Sequence, residues 1–385
     1  MSSISDLVSS HGVLICCGSG GVGKTTIAAV IALEGARQGR NTCVITIDPA
    51  KRLADALGLE ALSDAPSEIP RLRWDDDHSA KPDGELSAMM LDTKSTFDHL
   101  VTGNATTPEQ AQRILDNRFY RNVSGALGGT QEYMAMEKLH ELHDGGNFDL
   151  IVIDTPPTRH ALDFLEAPRR LLRLLDNRIF RTLMMPTRAY LRVASVAVQA
   201  FLRTVSRVVG SEAIDDVVQF FRAFEGMEAG FRDRALAVET LLATPETGFV
   251  LVTSPRRDAM EEAEFFSRQL ERNGQKIDAL VVNRVHPRFG DEAPTGLRAT
   301  AAQLARVVDD PAAHRLAVRY ENLADFREIA ELERAHVEGV QARVGATTVA
   351  YVPYLSRDVY DFSALREIGG LLFDPAVGSP PVATA

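Results

Sequence analysis

Gly18-Ser19-Gly20-Gly21-Val22-Gly23-Lys24-Thr25-Thr26 follows an apolar run, Val13-Leu14-Ile15-Cys16-Cys17, and fits the spacing Gly-x4-Gly-Lys-Thr. Glycines at these positions let backbone N–H groups turn inward around a phosphate, where a side chain would collide with its oxygens. Lys24 then offers a positive charge to the outer phosphates, and the Thr25 hydroxyl is placed to hold Mg²⁺. A helix beginning near Lys24 adds the partial positive charge of its N-terminus. This stretch therefore reads as a nucleotide-binding strand–loop–helix.

The remaining runs decide the fold class. Apolar segments bounded by turn residues recur at 13–17, 42–47, 86–91, 150–154, 249–253, 279–283 and 349–352. Several are unbroken Val/Ile/Leu runs, as strands covered on both faces require. Helical patterns separate them, for example over 25–38 and 257–273. Alternating strands and helices behind a phosphate loop predict an α/β fold: a doubly wound, mostly parallel sheet of about seven strands. The nucleotide is expected at the carboxyl ends of the strands. Residues 160–245 hold no convincing strand and read as a helical insertion, so the nucleotide-binding domain is assigned to 1–159 and 246–373. A long helical stretch is expected over 303–343, and the Pro/Ala/Val/Ser-rich tail 374–385 reads as disordered.

Composition narrows the class further. The 385 residues are 45% hydrophobic and 25% charged, with a formal net charge of −11, which argues against nucleic acid as a general partner. Residues 1–10 carry Asp6 and no Lys or Arg, unlike a secretory leader, and no run approaches the roughly 20 apolar residues of a membrane span. Cys16, Cys17 and Cys43 form neither a disulfide framework nor a Cys-x-x-Cys pair. They read as buried thiols in a cytoplasmic protein.

Two aspartates end strands. Asp48, in Thr46-Ile47-Asp48-Pro49-Ala50, can orient water against a γ-phosphate, or can cap the turn and helix that follow. Asp154 closes Leu150-Ile151-Val152-Ile153-Asp154, the Walker-B pattern whose carboxylate holds Mg²⁺ directly or through water. The prolines after it stiffen a loop suited to sensing the γ-phosphate. Asn283, ending another strand, offers both a donor and an acceptor to an adenine edge.

The phosphate loop, the segment from Ile47 to Gly58 and the segment from Asp154 to Leu165 stand in order, and Thr130-Gln131-Glu132-Tyr133-Met134 precedes the last. Together they resemble the arsenite-pump and tail-anchored-protein-targeting ATPase family, closest to its actinobacterial "anion-transporting ATPase" subgroup. The resemblance implies an ATP-hydrolysing dimer that couples nucleotide state to a helical client- or partner-binding subdomain. It implies ATP and Mg²⁺ as cofactors, with Gly20, Gly21, Val22, Gly23, Lys24, Thr25 and Thr26 on the phosphates. Thr25 and Asp154 would belong to the magnesium site, Asp48 would polarise the attacking water, and Asn283 and Pro353 would lie beside the base.

Ser19 departs from the family. Most members carry lysine there, and it reaches across the dimer to the partner's phosphates. A serine supplies no such charge, so three alternatives stand: slow turnover in isolation, an arginine in its place, or a heterodimer with a lysine-bearing paralogue. In the last case the chain is a regulatory nucleotide-binding subunit. A small-molecule phosphotransferase is a further alternative, against which the two aspartate switches argue. The cysteine placement disfavours arsenite as a ligand. The insertion has its own signature. From Pro168 to Ser211 nine arginines face one acid, Asp176, a net of +8 that leaves −19 on the rest of the chain. Such a basic amphipathic stretch can cover the acidic body, receive a hydrophobic or membrane-protein client, or lie on the inner face of a membrane.

Overall fold

The computed structural model describes residues 3–48, 52–70, 84–123, 130–156, 158–177, 211–307, 310–355 and 358–373. Among the described residues eight strands build one sheet: β1 (Val13–Gly18), β2 (Thr42–Thr46), β3 (Ser67–Glu68), β4 (Leu86–Met90), β5 (Leu150–Asp154), β6 (Thr247–Thr253), β7 (Ala279–Val285) and β8 (Thr348–Pro353). Their spatial order is β3-β4-β2-β5-β1-β6-β7-β8. All pairs are parallel except β3, which runs antiparallel on β4. The expected count of about seven omits β3, whose two exposed residues carry no apolar run to read.

Every residue of β1, β2, β5 and β6 is buried, because helices cover both faces of the sheet. The pleat sends alternate side chains to separate cores. Val13, Ile15, Cys17, Ile45, Ile151 and Ile153 enter one, and Leu14, Cys16, Val44, Val152, Val250 and Val252 the other. Cys16 and Cys17 therefore lie on opposite faces. The helix Lys24–Arg37 fills the second face, supplying Ile27, Val30 and Ile31.

The 303–343 stretch is two helices, Pro294–Ala305 and Pro311–Val344. The break follows from local chemistry. Asp310 caps the second helix by accepting from the N–H groups of Ala312 (2.8 Å) and Ala313 (3.2 Å), and Pro311 occupies the first turn, where its missing N–H costs nothing.

The described part of 160–245 is helical: Thr158–Asp176, Ser211–Ala223 and Glu228–Ala243. It does not stand alone. Earlier helices, Pro108–Leu115 and Arg118–Val123, pack on it. Gln110 donates to the carbonyls of Ala223 (2.8 Å) and Glu225 (2.9 Å), and Asn117 donates to that of Asp216 (2.9 Å). Phe119 and Tyr120 join these helices to Phe220 through ring contacts of 5.4 and 6.2 Å. Of the nine arginines, 178, 181, 188, 192, 203 and 207 lie outside the described residues, as does the tail 374–385. Arg169 pairs with Glu239 at 2.7 Å, and Arg170 with Glu166 at 3.3 Å.

Candidate nucleotide site

Strand β1 ends in Gly18, whose φ of 149° sets it against β6; a Cβ there would run into the Val252 carbonyl. The chain then turns through the loop and enters its helix at Gly23, with φ 95°. A Cβ at Gly23 would strike the Asn283 amide, so both positions need glycine. Val22 anchors the loop in the core.

The loop's lysine is buried. Lys24 Nζ donates to the Ser19 carbonyl at 2.9 Å. Burial lowers its pKa, while Asp154, Cys17 and Asp48 act in the opposite direction. Register brings the next groups together: Asp154 pairs with Cys16 of β1 on one side and Thr46 of β2 on the other. Its Oδ2 accepts from Thr25 Oγ1 at 2.8 Å and from Thr46 Oγ1 at 3.0 Å. Its Oδ1 is buried and has no hydrogen-bond partner. Burial pushes this carboxyl up to about 6 from 3.8, against the two hydroxyls and Lys24, with Asp48 adding to the rise.

The two residues assigned to magnesium are thus in direct contact. A hydroxyl and a carboxylate with one spare buried oxygen form a hard oxygen donor set, which suits Mg²⁺ shared with phosphate oxygens. Asp48 is partly buried one strand away; its N–H donates to Thr46 Oγ1 at 3.3 Å, and Arg52 Nε lies 4.0 Å from its carboxylate. Pro49, Ala50 and Pro157, and the Arg159 side chain, fall outside what the structure describes.

Asn283 and Pro353 meet the loop as well. With Gly23, Thr26 and Tyr354 they border a cavity of about 370 Å³. Asn283 Nδ2 donates to the Val22 carbonyl at 2.8 Å. A second cavity of about 410 Å³ flanks the loop at Ser19, Gly20, Arg256 and His286. Ser19 is buried, and its Oγ has no hydrogen-bond partner. A larger open concavity at Ser5, Glu34, Arg40 and Asp149 lies at the opposite, amino-terminal end of the strands.

Three participants have no motif to announce them. Thr46 is an ordinary strand residue whose role comes from register alone. Arg284 Nη1 donates to the Gly21 carbonyl at 3.0 Å; its position after Asn283 was the available signal. His286 is held through its N–H and Nδ1 by Glu333, both at 2.8 Å, and stacks on Tyr354.

Known proteins resemble this chain over much of its length. The chain is 21% identical over 370 residues to a protein of Aquifex aeolicus that carries the name arsenical pump-driving ATPase 1, covering 94% of this chain and 78% of that one. It is 26% identical over 276 residues to the ATPase GET3 of Phaeosphaeria nodorum, covering 70% and 74% respectively. An uncharacterised protein of Streptomyces coelicolor is 29% identical over 276 residues, covering 71% and 62%. The sequence profile described as anion-transporting ATPase matches residues 11–309, from the start of β1 through the loop, both aspartates and Asn283, and the chain belongs to that family.

Proposed function

We propose that this chain binds and hydrolyses ATP in the cytoplasm as a dimeric switch whose nucleotide state is transmitted to its helical layer. The observation that carries the reading is the convergence of Thr25 and Thr46 on one oxygen of Asp154, with the other oxygen buried and unpartnered beside the phosphate loop. In this reading Gly20 to Thr26 bind the phosphates, Thr25 and Asp154 hold Mg²⁺, and Asn283 and Pro353 flank the base. Bound there, Mg²⁺ would neutralise charge on the outer phosphates. Lys24 orients the same phosphates, and Asp48 orients the attacking water and draws on its proton. The helical insertion proposed for 160–245, whose described helices pack on those of 108–123, offers itself to a hydrophobic or membrane-protein client. Neither nucleic acid nor arsenite is a ligand in this reading.

A second reading has its own support. Ser19 presents a neutral hydroxyl on the loop, which favours a regulatory subunit paired with a lysine-bearing paralogue. Phosphate release by the purified chain, with and without such a partner, separates the two.

Lys24→Ala tests the common core. The Lys24 ammonium is held by the loop's own Ser19 carbonyl, so the variant should fold while losing calorimetric ATP binding and phosphate release. ATP affinity equal to that of the parent would overturn the nucleotide reading.

A further inference from the structure

Strand β7 is irregular one residue before its end. Asn283 pairs with Val352 and Val285 with Pro353, so Arg284 is an extra residue bulged between them. Its effect is visible in where the neighbours go. Val282 and Val285 both enter the first core, although regular alternation would send 282 and 285 to opposite faces. The bulge inserts Arg284 without turning it into that core, leaving it exposed at the phosphate loop. Re-aiming one side chain beside a site is a recurrent use of bulges.

Arg284 is the one non-glycine residue with positive φ among the described residues, at 62°. L residues rarely adopt this conformation, and local bonds hold it. The Arg284 N–H donates to Asn283 Oδ1 at 2.9 Å, and Asn283 in turn donates to Val22 of the loop at 2.8 Å. The guanidinium closes the circuit on the Gly21 carbonyl at 3.0 Å. It borders both cavities that flank the loop.

Charge separates Arg284 from its neighbours. Arg256 pairs with Asp258 at 2.8 Å, and Arg52 lies against Asp48. Arg284 has no carboxylate partner among the described residues. Two side-chain cations thus hydrogen-bond the loop's own carbonyls, Lys24 on Ser19 and Arg284 on Gly21. Lys24 is buried, whereas Arg284 is exposed.

We propose that Arg284 is a phosphate ligand acting in cis, moving from the Gly21 carbonyl onto the outer phosphates of bound ATP. The inference rests on the ATPase reading. In that reaction the water oxygen bonds to the γ-phosphorus and the bond to the β-bridging oxygen breaks. The electron pair stays on ADP; one water proton passes by way of Asp48 to solvent, and the other remains on the released phosphate. Arg284 forms no covalent bond. Its charge offsets that gathering on the bridging and γ-oxygens, which binding to ADP does not call for.

Arg284→Gly is the informative variant, since glycine takes the left-handed backbone without strain while the cationic side chain is lost. Fluorescent-nucleotide titrations and steady-state phosphate release should show ADP affinity within about twofold of the parent, weaker ATP binding, and kcat down about tenfold or more; cis and trans arginines can be worth far more. Arg284→Lys should recover part of kcat, and guanidinium ion should partly rescue Arg284→Gly. A kcat unchanged in Arg284→Gly, or ATP and ADP affinities falling alike without rescue by lysine, would reduce Arg284 to a clip on the loop. A parent protein that neither binds nor hydrolyses ATP would instead defeat the ATPase reading.

Discussion

Gln131 donates from Nε2 to the carbonyl of Ile47 at 2.9 Å, tying the helix Thr130–Asp144 to the residue that precedes Asp48. The same helix carries Glu137, which is buried, accepts from Tyr133 at 3.1 Å and pairs with Arg234 on the helix Glu228–Ala243. One helix therefore touches the proposed water-orienting residue's strand end and the helical layer.

Asp48→Asn should leave Mg·ATP bound but slow hydrolysis by about a hundredfold or more, since the water loses its orienting base. Gln131→Ala should act in the same direction but less, about fivefold, as expected for one hydrogen bond worth about 1 kcal/mol. Single-turnover phosphate release beside ATP affinity reads both. Parental turnover in Asp48→Asn would assign that residue to capping the turn instead.

Arg234→Leu should destabilise the fold by about 3 kcal/mol, because it leaves the Glu137 carboxylate buried with Tyr133 as its remaining side-chain donor among the described residues. Adding Glu137→Leu should recover most of the loss, since the orphaned charge goes with it. Urea denaturation of the single and double variants decides this, and equal stability of the two would contradict it.

Asp154 should contribute more to the stability of the magnesium-free protein in mild acid than at pH 8. Burial raises its folded pKa to about 6, whereas the unfolded chain keeps the ordinary 3.8. The native state gains its proton first as pH falls, so this contribution is complete below about pH 4 and lost as pH rises through 6. At pH 8 the penalty is about 3 kcal/mol. Asp154→Asn should remove it, exceeding the parent's stability at pH 8, with the gap closing toward pH 4. Mg²⁺ affinity of the parent should weaken below pH 6 as protons compete. Parallel stability curves for the two proteins from pH 4 to 8 would contradict the assignment.

Arsenite and antimonite should not stimulate phosphate release. These ligands need clustered soft thiolates. Cys16, Cys17 and Cys43 are buried, and burial raises all three thiols, Cys43 to about 12. Saturable stimulation abolished by Cys→Ser substitutions would refute this.

The sheet was legible because most of its strands are apolar runs bounded by turn residues; 150–154 was located to the residue. β3 was not, since two exposed residues carry no periodicity. The loop and Asp154 stood out by spacing, and Asp48 by its place at a strand end, with a capping reading left open, whereas Thr46 and Arg284 carried no such signal. Thr46 meets Asp154 through strand pairing, and Arg284 meets the loop through a bulge, and both contacts depend on strands distant in sequence. The contribution of 108–123 to the helical layer was hidden for the same reason: Gln110 and Asn117 recognise backbone carbonyls, which any sequence provides.

The three sealed thiols give the protein a silent chemical background. Lying in β1 and β2 behind full helical cover, they should ignore maleimides while the fold is closed. A cysteine introduced on an exposed position of the helical layer could then be labelled without first stripping the native ones, and paired probes there would report ångström-scale displacements as nucleotides are exchanged. The native thiols would themselves become a clock, since their labelling rate measures how often the central strands are laid open.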